Sequence, residues 1–224
     1  FEGSTEIMHL IIAREAMDQH LHVAGDLLEP DLSIDKKAKA LGKAGAFYAT
    51  WYPKLALGRG QAPQSYGEFG ELAGQMRFVE RASRKLARST FYGMARWQAD
   101  TEAHGAFLGR IVDIGAELFA VSATVVYTQT ALREHPERAT ETRELAKAFC
   151  AQAQQRTEQL FHDLWSNTDE SNHELAMGVL SGRYTWLEEG VIDPSTGDGP
   201  MVPLADTDLG IPVALAAGAA GSAS

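Results

Sequence analysis

The residues best suited to chemistry stand at the first positions of the chain. Phe1-Glu2-Gly3-Ser4-Thr5-Glu6-Ile7 sets a carboxylate beside a glycine and two hydroxyls, immediately ahead of an apolar helical pattern. A carboxylate held against apolar groups has its pKa raised toward neutrality and becomes a usable base. Gly3 has no side chain to keep a substrate or cofactor away from the backbone. Ser4, Thr5 and the N–H groups of a helix start can meet phosphates or ribose hydroxyls. The same spacing also describes a plain polar linker ahead of a capped helix, and spacing alone does not separate the two. His20 and His22 lie two apart and point to different faces of a helix, with no third ligand near, so no metal site is expected. The chain has no Gly-x-Ser-x-Gly elbow, no P-loop and no Gly-x-Gly-x-x-Gly.

The elements that must position these residues read as helices throughout. Ile7, Leu10, Ile11, Met17, Leu21 and Ala24 share one face of a helix over Ser4–Leu28, with Ser4 as N-cap and Pro30 as stop. A second helix over Ser33–Trp51 carries Lys36, Lys37, Lys39 and Lys43 on one side and Phe47, Tyr48, Trp51 and Tyr52 at its far end, where Pro53 is expected to break it. Leu57–Ser65, with Gly58, Gly60 and Pro63, is expected to be a loop. Tyr66–Gln98 is a long helical pattern with Arg77, Arg81, Arg84, Lys85 and Arg88 in a basic stripe. Glu102–His135 is apolar nearly all round between Ala116 and Val126, which predicts a central, buried helix. Two further helices are expected over Thr140–Ser166 and Asn172–Glu189. Trp97, Trp165 and Trp186 are expected in the core or at an interface. No strand pattern or internal repeat is found. The fold class is therefore all-α, an antiparallel bundle of about six helices with an extended C-terminal tail.

Composition bounds the function. The 224 residues are 45% apolar, enough for a sizeable core, and no run approaches 18 apolar residues, so no membrane-crossing helix is expected. The start lacks the ordered regions of a signal peptide. The single Cys150 excludes an internal disulfide, suits a reducing compartment and reads as a small buried apolar residue. Net charge is -10, which argues against general nucleic-acid binding. The charge is uneven, however: Lys36–Arg110 holds thirteen Lys/Arg against five Asp/Glu. That asymmetry suits an acidic partner or a membrane surface. The lysine side and aromatic end of the second helix form either an interfacial anchor or a solvated face over an aromatic cluster. The arginine stripe either meets acidic residues of a partner or is solvated.

Phe-Glu-Gly-Ser-Thr-Glu-Ile, followed by Leu10-Ile11-Ile12-Ala13-Arg14-Glu15, resembles the signature near the C-terminus of acyl-CoA dehydrogenases. The resemblance is dense over residues 1 to about 20. It implies that Glu2 is the catalytic base, removing the α-proton of an acyl-CoA thioester while hydride leaves the β-carbon for the flavin of FAD. It implies that Gly3 contacts the thioester region, that Phe1 lines the acyl pocket, and that Ser4, Thr5 and Glu6 touch the FAD. Two positions depart from the family pattern: Ser4 stands where Thr is usual, and His9 where Arg is common. The chain runs on for about 200 residues beyond the motif. This is similar to the very-long-chain subgroup, whose C-terminal extension is an added helical domain tied to membrane association and dimer packing. Leu108 to Ala120, leading to His135-Pro136, looks like the matching helix.

The expected organisation follows. Residues 1–30 end a catalytic helical domain, 31–190 form an additional helical bundle and 191–224 form an extended or disordered tail. A start inside the motif, without Met, suggests the C-terminal part of something larger. Most of the flavin site is then expected upstream, and the chain alone is expected to bind no FAD and to be inactive. Expected partners are the remainder of the parent enzyme, fatty acyl-CoA, a second copy in a homodimer and a membrane surface met through 36–59. The expected location is cytoplasmic or peripheral on the inner face of a membrane, mitochondrial in a eukaryote. Two competing readings are a non-catalytic docking module for a membrane or protein partner, and a freestanding bundle with an idle motif.

Overall fold

Six α-helices joined by 3-10 turns make up the regular structure of the described residues, 4–28 and 31–188 of a computed structural model. They are α1 (Thr5–Ala24), α2 (Ile34–Lys54), α3 (Ala73–Trp97), α4 (Gly105–Glu134), α5 (Ala139–Asp163) and α6 (Asp169–Leu180). No strand occurs among the described residues, so the chain is all-α. The chain divides into one compact unit ending at Asn167, which holds α1 to α5, and another from Thr168, which holds α6. The expected tail, 191–224, lies outside the described residues.

Among the boundaries that differ from the sequence expectation, three have a clear local reason. α2 runs past Trp51 and through Pro53 to Lys54. A proline in the last turn removes only one amide bond, and Leu55 and Ala56 still donate to Tyr52 and Pro53 carbonyls. The third helix starts at Ala73 rather than Tyr66, because Tyr66 (φ 66°) and Gly70 (φ 54°) both turn left-handed ahead of it. α6 stops at Leu180 instead of Glu189. Gly182 takes φ 77°, Arg183 N–H donates to the Gly178 carbonyl and Gly182 N–H to Val179, which together close the helix end.

The core forms where α4 meets its neighbours. Ala13 and Met17 of α1, Ala82 of α3 and Phe161 of α5 bury against Phe107, Leu108, Ile111, Ile114 and Leu118 of α4. A second cluster joins Val121 and Val125 of α4 to Leu72 and to Ala146, Cys150 and Ala153 of α5. Each fully buried Ile, Leu or Val contributes about 1.5–3 kcal/mol relative to an exposed one. Cys150 is fully buried, as expected, and burial pushes its thiol pKa up.

α4 is the central helix foreseen from its composition, but one flank stays open: Phe119 is 75% exposed and Tyr127 71%. It is also long and apolar enough to cross a membrane by length and composition alone, as core helices can be. The physical reason for its apolarity here is packing against α1, α3 and α5. Two of its charges are paired as well: Glu117 takes a two-pronged contact from Arg156 at 2.6 and 2.9 Å, and Asp113 lies 3.2 Å from His9. At the other end of α4 the ring of Phe107 lies directly on Gly93 of α3, where a Cβ would sit 2.5 Å from it. Trp97 packs edge-on to Phe107 and stacks on Trp165. Trp186, expected in a core or interface, is 62% exposed.

Candidate functional site

Phe1, Glu2 and Gly3, the expected acyl-pocket residue, base and thioester contact, lie outside the described residues. The structure begins at the polar half of the motif. Ser4 is the N-cap of α1: its Oγ accepts from Ile7 N–H at 3.4 Å and its carbonyl from Met8 N–H at 3.1 Å. Ser4 and Thr5 are exposed, and their position leaves the Thr5 and Glu6 N–H groups without an intrahelical acceptor. One helix start thus brings together two hydroxyls and two amide donors without intrahelical acceptors at its positive end. That donor set can hold an anionic or polyhydroxylated group. Directly behind it, Ile7, Leu10, Ile11 and Ile12 of α1 are each about half exposed. His9, where the resembled family carries Arg, points onto α4 and meets Asp113.

A second polar cluster lies where α1, α2 and α3 meet. His20 is buried, and its Nδ1 lies 3.1 Å from the Tyr48 hydroxyl. Its ring stacks on Tyr48 and meets Trp51 edge-on at 4.9 Å, and Phe91 closes the group. Burial lowers the His20 pKa and raises that of Tyr48, so both are held neutral. The aromatic end of α2 is therefore packed inward against α3, with Tyr52 and Tyr92 joined hydroxyl to hydroxyl. Of the lysines, Lys36, Lys39 and Lys43 remain exposed. His22 is not part of the cluster: it contributes only its carbonyl, to Lys43 Nζ.

The arginine stripe of α3 is engaged within the chain, although Arg81 and Lys85 also stay exposed. Arg77 donates to the Ser65 carbonyl, Arg81 to Gly60 and Arg88 to Leu55, at 2.8, 2.8 and 3.0 Å, and Arg84 donates to Lys54. Lys85 sits over the Phe161 ring at 4.1 Å. The stripe is a set of hooks that lays the 54–66 loop along α3. Glu80 is its hub, accepting from Gly60 N–H, the Tyr66 hydroxyl and Arg84. Burial acts to raise the Glu80 pKa, but those donors together outweigh it and the net shift is downward. Gly58 and Gly60 are required by this closeness. A Cβ on Gly58 would fall 2.2 Å from a Glu80 oxygen, and one on Gly60 2.9 Å from the Arg77 carbonyl. Sequence reading marked both glycines as loop and the arginines as a stripe. The signal it missed is that donors spaced along a helix face a glycine-rich segment rich in bare carbonyls.

No family model matches the chain, and no solved structure matches it. Curated proteins do match. The chain is 58% identical over 202 residues to "Probable acyl-CoA dehydrogenase FadE10" of Mycobacterium bovis and, at the same identity, to the proteins of that name from two strains of Mycobacterium tuberculosis. The match takes in 90% of this chain and 31% of each relative. Over nearly all of its length, then, the chain is a homologue of about one third of a mycobacterial protein named as an acyl-CoA dehydrogenase.

Proposed function

We propose that this chain is part of a flavin-dependent acyl-CoA dehydrogenase acting on fatty acyl-CoA thioesters in β-oxidation, and that Glu2 is its catalytic base. The observation that carries the reading is the 58% identity across 202 residues to proteins bearing that name, joined to a motif that resembles the family's base-bearing signature. In this reading Glu2 takes the α-proton of the thioester, and Phe1 and Gly3 shape the acyl and thioester contacts. FAD, when bound, accepts the hydride that leaves the β-carbon. The residues described at the start of α1 suit the polar parts of such a cofactor: exposed Ser4 and Thr5 and amide donors that have no intrahelical acceptor. Residues 1–30 would end the catalytic helical domain, 31–190 form an added bundle that packs against the parent or a second copy, and 191–224 form a tail. Most of the flavin and substrate site lies in the rest of the parent, which we place in the cytoplasm. The test is direct. Full-length protein is expected to purify with FAD and to convert acyl-CoA to 2-enoyl-CoA. A full-length protein that binds no flavin would overturn the reading.

A docking role for the bundle is a second reading. Its membrane form now rests on Lys36, Lys39 and Lys43 with exposed Ile34 and Leu41, since Phe47, Tyr48 and Trp51 are engaged within the fold. Co-sedimentation with anionic vesicles at low salt is expected if it holds, and its absence removes the membrane form.

A further inference from the structure

A groove of about 520 Å³ runs between α1, α3 and α4 and reaches the end of α2. Its volume falls within the range of about 300–1,000 Å³ typical of small-molecule sites. Its walls are apolar, supplied chiefly by Ile12, Leu86, Ile111, Val112 and Phe119, with Trp51 at the α2 end. No charged side chain lines it, although the chain as a whole carries a net charge of -10. Its polar atoms are few and neutral. Thr90 already donates its hydroxyl to the Leu86 carbonyl. His20 differs from the others. It lines the groove, is 94% buried (6% exposed), and engages only Nδ1, with the Tyr48 hydroxyl; its Nε2 has no protein partner among the described residues. Nε2 is not among the buried polar atoms stranded without a partner, so it keeps access to water in the groove and is available to a ligand that replaces that water.

We propose that this groove is a binding site for an uncharged amphiphile: a single aliphatic chain along the α1–α3–α4 walls, with one neutral hydroxyl or carbonyl hydrogen-bonded to His20 Nε2. The lining dictates the chemistry. An aliphatic chain gains from the apolar walls at about 0.8 kcal/mol for each buried CH₂. A carboxylate or phosphate head drawn to His20 would lose its hydration with no cation to receive it. Either tautomer of the neutral ring serves, because an alcohol both donates and accepts. The floor of the groove includes Gly115, where a Cβ would meet nothing within 4 Å. That leaves room for the ligand and a means of blocking it. The site does not depend on the dehydrogenase reading, because none of its residues belongs to the opening motif.

The test is isothermal titration of the 224-residue chain with 1-decanol and with decanoate, each kept below its aggregation limit. One saturable site for decanol and weaker binding of decanoate are expected. Gly115→Leu, whose Cβ meets nothing within 4 Å and whose side chain favours the helix, is expected to fill the groove and abolish decanol binding. His20→Phe is expected to weaken it roughly fivefold while keeping the shape. If Gly115→Leu loses its helical circular dichroism, Ala87→Leu on the facing wall takes its place. No saturable decanol binding, equal or tighter binding of decanoate, or undiminished binding in a folded groove-filling variant would each overturn the proposal.

Discussion

Replacing Glu80 by alanine cuts the one carboxylate that ties the 54–66 loop to α3. Three donors lose their acceptor: Gly60 N–H, the Tyr66 hydroxyl at 3.1 Å and the Arg84 guanidinium at 2.8 and 3.1 Å. The Glu80 side chain is only 17% exposed, so water replaces it incompletely. Stranded donors in part-buried sites cost about 1–3 kcal/mol each. Arg84 keeps its bond to Lys54 and is 26% exposed, so it recovers much of its loss in solvent. The expected total is about 2–3 kcal/mol, which for a chain of this size lowers Tm by roughly 4–12 °C. Glu80→Gln keeps an oxygen for Gly60 and loses the charge opposite Arg84, so it should cost about half as much. Acid should mimic the mutation. The Glu80 pKa is lowered by folding, so its contribution is complete above the unfolded carboxylate range and fades as pH falls through the folded value. Thermal melts of the three proteins, with amide exchange of residues 58–66, measure this. A Tm change under about 1 °C in Glu80→Ala, or unchanged exchange at Gly60, would refute the loop-hook account.

Gly93→Ala should destabilise the fold despite its better helix propensity. The added Cβ lies 2.5 Å from the Phe107 ring, which is 3% exposed and has nowhere to move. Overpacking of about 1–3 kcal/mol outweighs a propensity gain of about 1 kcal/mol, so Tm should drop by a few degrees, and a rise would contradict the packing. His20→Phe should flatten the acid side of the stability curve. Burial lowers the His20 pKa, so the unfolded chain binds its proton first, and stability is lost as pH falls below about 6.5. Urea midpoints for wild type and variant between about pH 7.5 and 5 read this out, and parallel slopes would argue against it.

Much of the architecture was legible because α4 and α5 carry long apolar periodicities interrupted only at Pro136. The start of α3 and the end of α6 slipped at Tyr66, Gly70 and Gly182, where a left-handed backbone overrides periodicity. Periodicity does not encode that geometry. The arginine stripe was visible, but its partners are backbone carbonyls 12 to 33 residues away, which no pattern of side chains announces. The aromatic end of α2 read equally well as an anchor or a cluster. The partners that decide it, His20 and Phe91, come from two other helices. The opening motif was legible only through resemblance, since a carboxylate before a capped helix is common on spacing alone. Of its residues, the structure describes Ser4 as a cap and Thr5 as exposed, and Phe1 to Gly3 lie outside what it describes.

The central claim is that Glu2 removes the α-proton in a flavin-dependent dehydrogenation. Anaerobic titration of the full-length, FAD-loaded parent with a fatty acyl-CoA, following the flavin absorbance, tests it most directly. Wild-type flavin is predicted to bleach. In Glu2→Gln the flavin should remain bound and stay oxidised, because the amide cannot accept the proton. Bleaching of the Glu2→Gln flavin at the wild-type rate and extent would contradict the assignment.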